Sequence, residues 1–577
     1  MSDLERFIKH RPDSGQWTIL DYIVVGGGLA GTTVAARLAE NYEVTVLLVE
    51  AGSDNRTDKI VYDIYAYSQA FGTDLDWAWP TDQGKTIRGG KTLGGSTSIN
   101  GAHYTRGMQA QYDAWTTLLE ISAADAGWDW EGILGYMQKS EAFSAPNSQQ
   151  AAKGAESVAD YHGLSGPVQV TYPDAMYGGP EQPDFINSIV NLTGIEHCPD
   201  VNGSGSNCVL MTPLTIDWHD SDHRSSSCQA YLTPVESQRT NWLTLTEHLV
   251  RNSNYLVEHR KRTASGIEFA PSSGGSTRYA ATALKEKIVA AGAIQSPALL
   301  QLSGIGDSSL LNSLDIGTNL DMKGVGRNLQ EQTMNSLGAG GNFDYGGEGP
   351  SDCIAYPNIH QVFGCNKIAL QVAVDHNWAA SQSASADSQA ALEKIYEVQA
   401  GLILNGNAPI VELFYDTGYP ECQLTGFGID LWQLLPFSRG NVSITTTDPF
   451  TRPAVNVNYF GVGWDLDVQV ASVSTSLSTG ETVPGTRVPN TNGNFGSDQD
   501  WKSWILDPSV GLSAICGICE IHELSSKGVV DAQLKIYNMT NVRVVDASIL
   551  PMQISAPPSA TLYGVTEKAA DIIRASN

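Results

Sequence analysis

Residues 21–52 constrain the fold more than any other stretch. DYIVVGGGLAGTTVAARLAENYEVTVLLVEAG runs from an apolar, β-branched segment through a glycine turn into an Ala-rich helical segment, then into a second apolar run closed by an acid. The pattern reads as β-α-β. Gly26-Gly27-Gly28-Leu29-Ala30-Gly31 supplies G-x-G-x-x-G at the strand-to-helix junction. Bare backbone at Gly26, Gly28 and Gly31 lets a pyrophosphate approach the helix N-terminus. Glu50 ends the next strand, where an acid accepts hydrogen bonds from an adenosine ribose. The glycines alone are a weak signal; strand, helix and acid at this spacing predict dinucleotide binding.

Two later runs repeat the strand-then-turn pattern: Ile288–Ala293, followed by SPALLQLSG, and VRVVDASILP at 542–551. Parallel strands need crossovers, so three such pieces this far apart predict one α/β sheet assembled from distant segments. Between 332 and 535, IVELFYD, IDLWQLLPF, NVSITTT and AVNVNYF alternate with Gly, Asn and Asp clusters, the signature of a second, mostly antiparallel domain. The expected division is 15–155, 225–331 and 535–577 for the cofactor domain, with 156–224 and 332–534 for the other. Residues 381–398 read as an exposed amphipathic helix.

Charge removes some partners. With 34 Lys+Arg against 62 Asp+Glu, a net charge of -28, the chain lacks the basic footprint that nucleic acid requires. No apolar run reaches the roughly 18–20 residues that span a bilayer, and the charged opening MSDLERFIKHRPDSGQWTIL has no apolar core. The expected address is therefore cytoplasmic, or secreted if the true N-terminus is missing. Eight cysteines are too sparse for a disulfide framework, although one or two bridges stay compatible with the chain. The sequons at Asn55, Asn191, Asn202, Asn441 and Asn538 are read as chance.

The segment Gly90-Lys91-Thr92-Leu93-Gly94-Gly95-Ser96-Thr97-Ser98-Ile99-Asn100, continuing GAHYTRG, resembles the first signature of the glucose-methanol-choline (GMC) oxidoreductase family. Gly292-Ala293-Ile294-Gln295-Ser296-Pro297, running on to Ser303-Gly304-Ile305-Gly306, is similar to the second. GVGRNLQEQ and VVDASILP match in order, and GWDWEGILGYM and LLPFSRG point to the family's glucose oxidase-like fungal members. The resemblance covers essentially the whole chain. It implies an α/β fold, a Rossmann-like FAD-binding domain joined to a substrate domain built on an antiparallel sheet with helices. It also implies that Leu29, Ala30, Glu50, Ser96, Asn100, Gly101, His103, Val250 and Asp546 surround FAD. Ile99 stands where some relatives carry a histidine bonded covalently to flavin, so the FAD expected here is non-covalent.

Oxidising an alcohol requires a base to take the hydroxyl proton while hydride leaves carbon. The family uses a histidine opening an H-x-x-G-T-C segment and a second His or Asn near the last helix. Counting back without gaps places Ala514 and Pro557 at those positions, and neither can accept a proton. His522 lies just beyond the Cys516–Cys519 pair and reads as a surface residue or a relocated base; the pair itself reads as two buried thiols, and no second C-x-x-C completes a metal site. Tyr67, Phe414 and Trp432 match the family's aromatic wall, or else are ordinary core aromatics, and with Ala514, Cys516 and Pro557 they form the expected substrate pocket; Val510, Leu512 and Ser513 just before Ala514 make it drier than one that binds a polyol. Strand alternation in IVELFYD sets Glu412, Phe414 and Asp416 on one face. The resemblance implies that this glutamate would bond the second histidine. With Pro557 there instead, Glu412 is left among apolar groups with a raised pKa and becomes a candidate acid or base. His103 is the other candidate, or else an FAD contact only. His219, His223 and Arg224 belong to a polar loop at the entrance or merely on the surface. Pro557-Pro558 suit the start of a helix capped by Ser555.

The expected protein is an FAD enzyme, monomer or homodimer, acting on a small, largely apolar or aromatic molecule of specialised metabolism through a non-standard base. The alternative is a non-redox cyclase, dehydratase or lyase that keeps FAD as structure, as versicolorin B synthase and plant hydroxynitrile lyases do within the same family.

Overall fold

The computed structural model describes residues 18–119, 123, 125–258, 261–340, 347, 352–364, 376–382, 388–417, 426–476, 481–483, 488, 496–507 and 528–576. Ala514, Cys516, Cys519 and His522 lie outside the described residues.

A seven-stranded sheet holds the glycine turn. Its core is parallel: Trp242–Leu245, Val46–Val49, Thr18–Val25 and Tyr279–Val289 lie side by side, and Val542–Val544 pairs with the last of these. Every residue of Val46–Val49 is buried, as continuous apolar strands covered on both faces should be. Beyond the parallel core, Lys261–Pro271 and His248–Glu258 extend the sheet as an antiparallel hairpin. Residues 18–49, 242–289 and 542–544 thus meet in one sheet.

Small side chains let the helix Leu29–Leu38 sit close to this sheet. Its Thr32, Thr33, Val34, Ala35, Ala36 and Leu38 are buried. A Cβ on Gly31 would lie 1.8 Å from the carbonyl oxygen of Gly26, and Gly26 itself has φ +100°. The C-terminal helix Ser559–Ser576 packs against Leu29–Leu38 and brings in the buried Glu567. That carboxylate pairs with Arg37 at 2.7 Å, accepts the Tyr231 hydroxyl at 2.8 Å and meets Lys139 at 3.2 Å.

The second sheet runs Glu481–Val483, Met334–Gly340, Gly426–Gln433, Val411–Thr417, Cys353–Ala355, Cys208–Met211, Glu196–His197, antiparallel except for its last pair. This grouping of strands is the basis on which we propose the two-part division of the chain. Cys198 and Cys208 form a disulfide beside the parallel edge. No helix among the described residues is long and apolar enough to cross a membrane.

Three local expectations are corrected by tertiary contacts. The helix expected at 381–398 is instead Gln389–Asn405, with Ser388 accepting the Ala391 N–H and an inner face of Leu392, Ile395, Tyr396 and Ile403 buried. Ser555 does not cap the last helix: it is fully buried, donates to the Pro409 carbonyl at 2.6 Å and accepts from Gln111 Nε2 at 2.8 Å. Arg224 is no part of an open entrance loop but is 2% exposed, while His219 beside it is solvated.

Away from the cavity, His162 is clamped between two carboxylates, Nδ1 to Glu141 at 2.6 Å and Nε2 to Asp200 at 2.7 Å. Arg106 completes this buried group with a 2.6 Å pair to Glu141, and Phe143 stacks on the imidazole at 3.6 Å. Desolvation disfavours the imidazolium, but the two carboxylate hydrogen bonds prevail and hold the His162 pKa above its ordinary value.

Candidate active site

One cavity of about 710 Å³ runs from the glycine turn to the antiparallel sheet, within the roughly 300–1,000 Å³ typical of cofactor and ligand sites. At its first end Gly26, Gly28, Leu29 and Ala30 form the wall; Gly31 does not reach it and acts through the close packing described above. No side chain caps the helix Leu29–Leu38, so its N-terminal amides are available to an anion. A Cβ on Gly28 would meet only Gly95 Cα at 3.7 Å, which leaves open space above the turn. Glu50 is buried and accepts the Gly27 N–H at 2.6 Å and the Gly52 N–H at 2.7 Å, one on each oxygen. Burial raises its pKa against these donors, and its remaining lone pairs can take two hydroxyls. Val250, with His248 and Leu249, closes this end.

Midway, Ser96, Asn100 and Gly101 line the wall. Asn100 is held by Arg224, whose Nη1 donates to Asn100 Oδ1 at 2.8 Å and whose Nε donates to the Val61 carbonyl at 2.9 Å. The same oxygen accepts the Ala102 N–H at 3.1 Å, and Ala102 has φ +63°, a left-handed turn that presents His103 to the cavity. Ile99 points the other way, buried with Val61, Ala70 and Leu75. Asp546 accepts the Ser296 hydroxyl at 2.6 Å and the Gly292 N–H at 3.0 Å on one oxygen, and the Ser548 hydroxyl and N–H on the other. It fastens two turns that both face the cavity.

The far end carries the titratable groups. Glu412 and Phe414 alternate onto the cavity from Val411–Thr417, and Asp430 and Trp432 do so from the neighbouring Gly426–Gln433, with Glu412 opposite Trp432 and Phe414 opposite Asp430. Phe414 meets Trp432 edge-on at 5.9 Å and His103 edge-on at 4.7 Å. Tyr67 and Pro557 complete the wall. Glu412 is buried, and desolvation pushes its pKa up to about 8, with the nearby Asp430 adding to the rise and a hydrogen bond from the Tyr356 hydroxyl opposing it. Its partner is therefore Tyr356 rather than anything at Pro557. His103 Nδ1 lies 2.9 Å from Thr212 Oγ1, while Nε2 is buried with no partner among the described residues. Burial drops the His103 pKa to about 3, so the ring is a neutral hydrogen-bonding group near pH 7.

Sequence reasoning missed Tyr356, Asp430 and Arg224 as parts of this site. Asp430 was within reach, since IDLWQ alternates Asp430 and Trp432 onto one face. Tyr356 and Arg224 carry no local signal.

The uncapped helix, the open space over Gly28 and the Glu50 carboxylate together fit a bound dinucleotide. The GMC oxidoreductase family models match residues 20–334 and 436–566. The glucose oxidase-like protein fsoC of Humicola fuscoatra is 34% identical over 98% of this chain and 97% of its own length. A glucose oxidase of Aspergillus carbonarius is 31% identical over 100% and 95%. Among solved structures, an FAD-dependent oxidoreductase from Chaetomium thermophilum superposes with a TM-score of 0.83 at 26% identity, covering 96% of this chain and 99% of that one.

Proposed function

Because the chain belongs to the GMC oxidoreductase family and is an FAD-dependent enzyme, we propose that it oxidises a small, largely apolar or aromatic alcohol with Glu412 as the proton acceptor. The observation that carries this reading is a buried carboxyl with a pKa of about 8 on the cavity wall, bonded to Tyr356 and framed by Phe414 and Trp432. A base near the working pH is the most effective kind. When bound, FAD supplies the hydride acceptor.

The chain's own residues supply the rest. Gly26, Gly28, Leu29, Ala30 and Ser96 hold the phosphates, and Glu50 the ribose. Asn100, Gly101, His103, Val250 and Asp546 fix the remainder, while Ile99, packed in an apolar cluster, supports non-covalent attachment. Phe414, Trp432 and Tyr67 bury a flat substrate body and exclude water. His103 Nε2 offers the hydroxyl a neutral hydrogen bond, and the ionised Glu412 takes its proton as the C–H bond breaks. An aromatic wall with few polar partners supports a substrate from specialised metabolism rather than a sugar. The Cys198–Cys208 bridge supports passage through an oxidising compartment over the cytoplasmic address; intact-mass analysis finding both thiols free would restore the latter.

The test is anaerobic mixing with aromatic alcohols. Bleaching of the visible flavin bands, lost in Glu412→Gln at unchanged FAD content, is the expected result. Unchanged bands with a product isomeric to its substrate, or differing by water, would replace this reading with the non-redox one. Acid precipitation should leave the flavin in the supernatant.

A further inference from the structure

We propose that Thr212 is a positioning residue: it fixes His103 in the tautomer with its proton on Nε2, so that the ring donates a hydrogen bond to the substrate oxygen and does not take its proton. The proposal rests on the reading of this cavity as a site of alcohol oxidation, and supplies the direction of a hydrogen bond that the reading leaves open.

The two residues come from different parts of the fold. Thr212 continues the strand Cys208–Met211 of the second sheet, whereas His103 follows the Asn100 turn. The chain beyond Thr212 is laced to that turn. His103 pairs with Leu214 in an antiparallel bridge, the Tyr104 N–H donates to the Pro213 carbonyl at 3.0 Å, and the Thr215 N–H donates to the Ala102 carbonyl at 2.7 Å. On its other side the Thr212 N–H donates to the Asp352 carbonyl at 2.7 Å. The side chain so placed is fully buried, and among the described residues Oγ1 has His103 Nδ1 as its partner, at 2.9 Å.

Counting protons gives the direction of that bond. A threonine hydroxyl has one proton to donate, and a neutral imidazole has one N–H and one lone pair. With the ring proton on Nδ1, the bond runs from His103 to Oγ1; the hydroxyl proton then has no acceptor among the described residues, and Nε2 is a bare lone pair. With the ring proton on Nε2, the hydroxyl donates to Nδ1 and both are satisfied, leaving the Nε2–H as the one unmet group. Buried polar groups settle in the arrangement that leaves fewer of them unpaired. Burial keeps the ring neutral, so no third form competes.

The Nε2–H is then the group that the ligand satisfies, since the ring lines the cavity and Nε2 has no partner among the described residues. Phe414 meets the ring edge-on at 4.7 Å, and Glu412 lies two residues along the same strand face. An alcohol oxygen between the two gives its proton to the ionised Glu412 and accepts from Nε2–H. As the O–H bond breaks, negative charge grows on that oxygen. A hydrogen bond to a charged acceptor is roughly twice as strong as one to a neutral acceptor, so the contact strengthens toward the transition state. Thr212 therefore acts on kcat more than on KM.

Nitrogen-15 NMR of oxidised, histidine-labelled holoenzyme reads the tautomer without turnover, with the His103 signals assigned by their loss in His103→Gln. The expected result is a protonated Nε2 and an unprotonated Nδ1; a ring proton on Nδ1 would overturn the proposal. In steady-state oxidation of an aromatic alcohol, Thr212→Val should lower kcat roughly three- to tenfold, the net worth of one hydrogen bond, with KM and FAD content little changed. Thr212→Ser, which restores the hydroxyl, should recover the rate. In a His103→Gln background Thr212→Val should cost nothing further, because the two act as one unit. Wild-type kcat in Thr212→Val, or a loss that adds in full to that of His103→Gln, would also overturn it. Normal turnover by Glu412→Gln would remove the base assignment alone and leave the tautomer standing.

Discussion

Replacing Glu412 by glutamine should remove activity and raise stability, by an amount that depends on pH. The folded protein holds the Glu412 proton with a pKa of about 8 against an ordinary 4.5. Between these values the folded state binds more protons than the unfolded chain, so stability falls as pH rises, by about 1.4 kcal/mol for each pH unit. At pH 7 the accumulated cost is about 3 kcal/mol relative to acid solution. Glutamine keeps the shape and an acceptor for the Tyr356 hydroxyl but carries no titration. The variant should therefore match the wild type near pH 5 and unfold at progressively higher temperature than it at pH 6, 7 and 8. Thermal unfolding of the two holoproteins in parallel, at fixed FAD and ionic strength, measures the gap. A gap that stays flat from pH 5 to 8, or a variant less stable at pH 8, would refute the assignment of a buried, proton-retaining carboxyl. Such a trade between stability and function is common where an active site keeps an unfavourable group.

The pH profile of catalysis has the complementary sign: kcat/KM should rise about tenfold per pH unit below about 8 and level off above it, as the ionised Glu412 becomes the majority form. Gly31→Ala drives a Cβ to 1.8 Å from the Gly26 carbonyl, so the purified variant should lack flavin absorbance. The His162 clamp obeys the same sign of linkage as Glu412, in a higher pH window. With its folded pKa raised above the unfolded one, its contribution is complete below about pH 6.5 and is lost as pH climbs through the folded value. His162→Gln should accordingly lower the unfolding temperature more at pH 6 than at pH 9, and an equal loss at both would contradict a charged clamp. Arg224→Lys cannot reach both Asn100 and the Val61 carbonyl, and should weaken FAD retention during dialysis with little change in the unfolding temperature of the apoprotein.

What could be read directly from the sequence is what neighbouring residues decide among themselves. The glycine turn, its helix and Glu50 lie within 32 residues, and their strain and spacing are local, so the geometry of this end of the cavity was legible from the sequence. Alternation placed Glu412 and Phe414 on one face because a strand's period needs no knowledge of its neighbours. Contacts across the chain were less accessible. Arg224 reaches Asn100 over a separation of 124 residues, and Tyr356 comes to Glu412 from just past the end of the neighbouring strand Cys353–Ala355. Ser555 had the residue type of a cap, but Gln111, 444 residues away, and the Pro409 carbonyl offered its hydroxyl better partners in the packed core. The bland expectation for the 219–224 loop failed at Arg224 for the same reason: a buried guanidinium is recognisable only once its carbonyl and amide acceptors have been assembled.

The parallel sheet also dictates an order of events during synthesis. Thr18–Val25 and its helix emerge from the ribosome more than 500 residues ahead of Val542–Val544, the Asp546 turn and the helix bearing Glu567. Arg37 and Tyr231 are left without their shared acid until Glu567 is made, and Gly292 and Ser296 without Asp546 until that residue is made. The nascent nucleotide cradle must therefore wait, half-built, for more than 500 residues of elongation, and a chain cut before the helix Ser559–Ser576 should be held by chaperones and cleared by proteases rather than persist as a flavoprotein with a weakened tail.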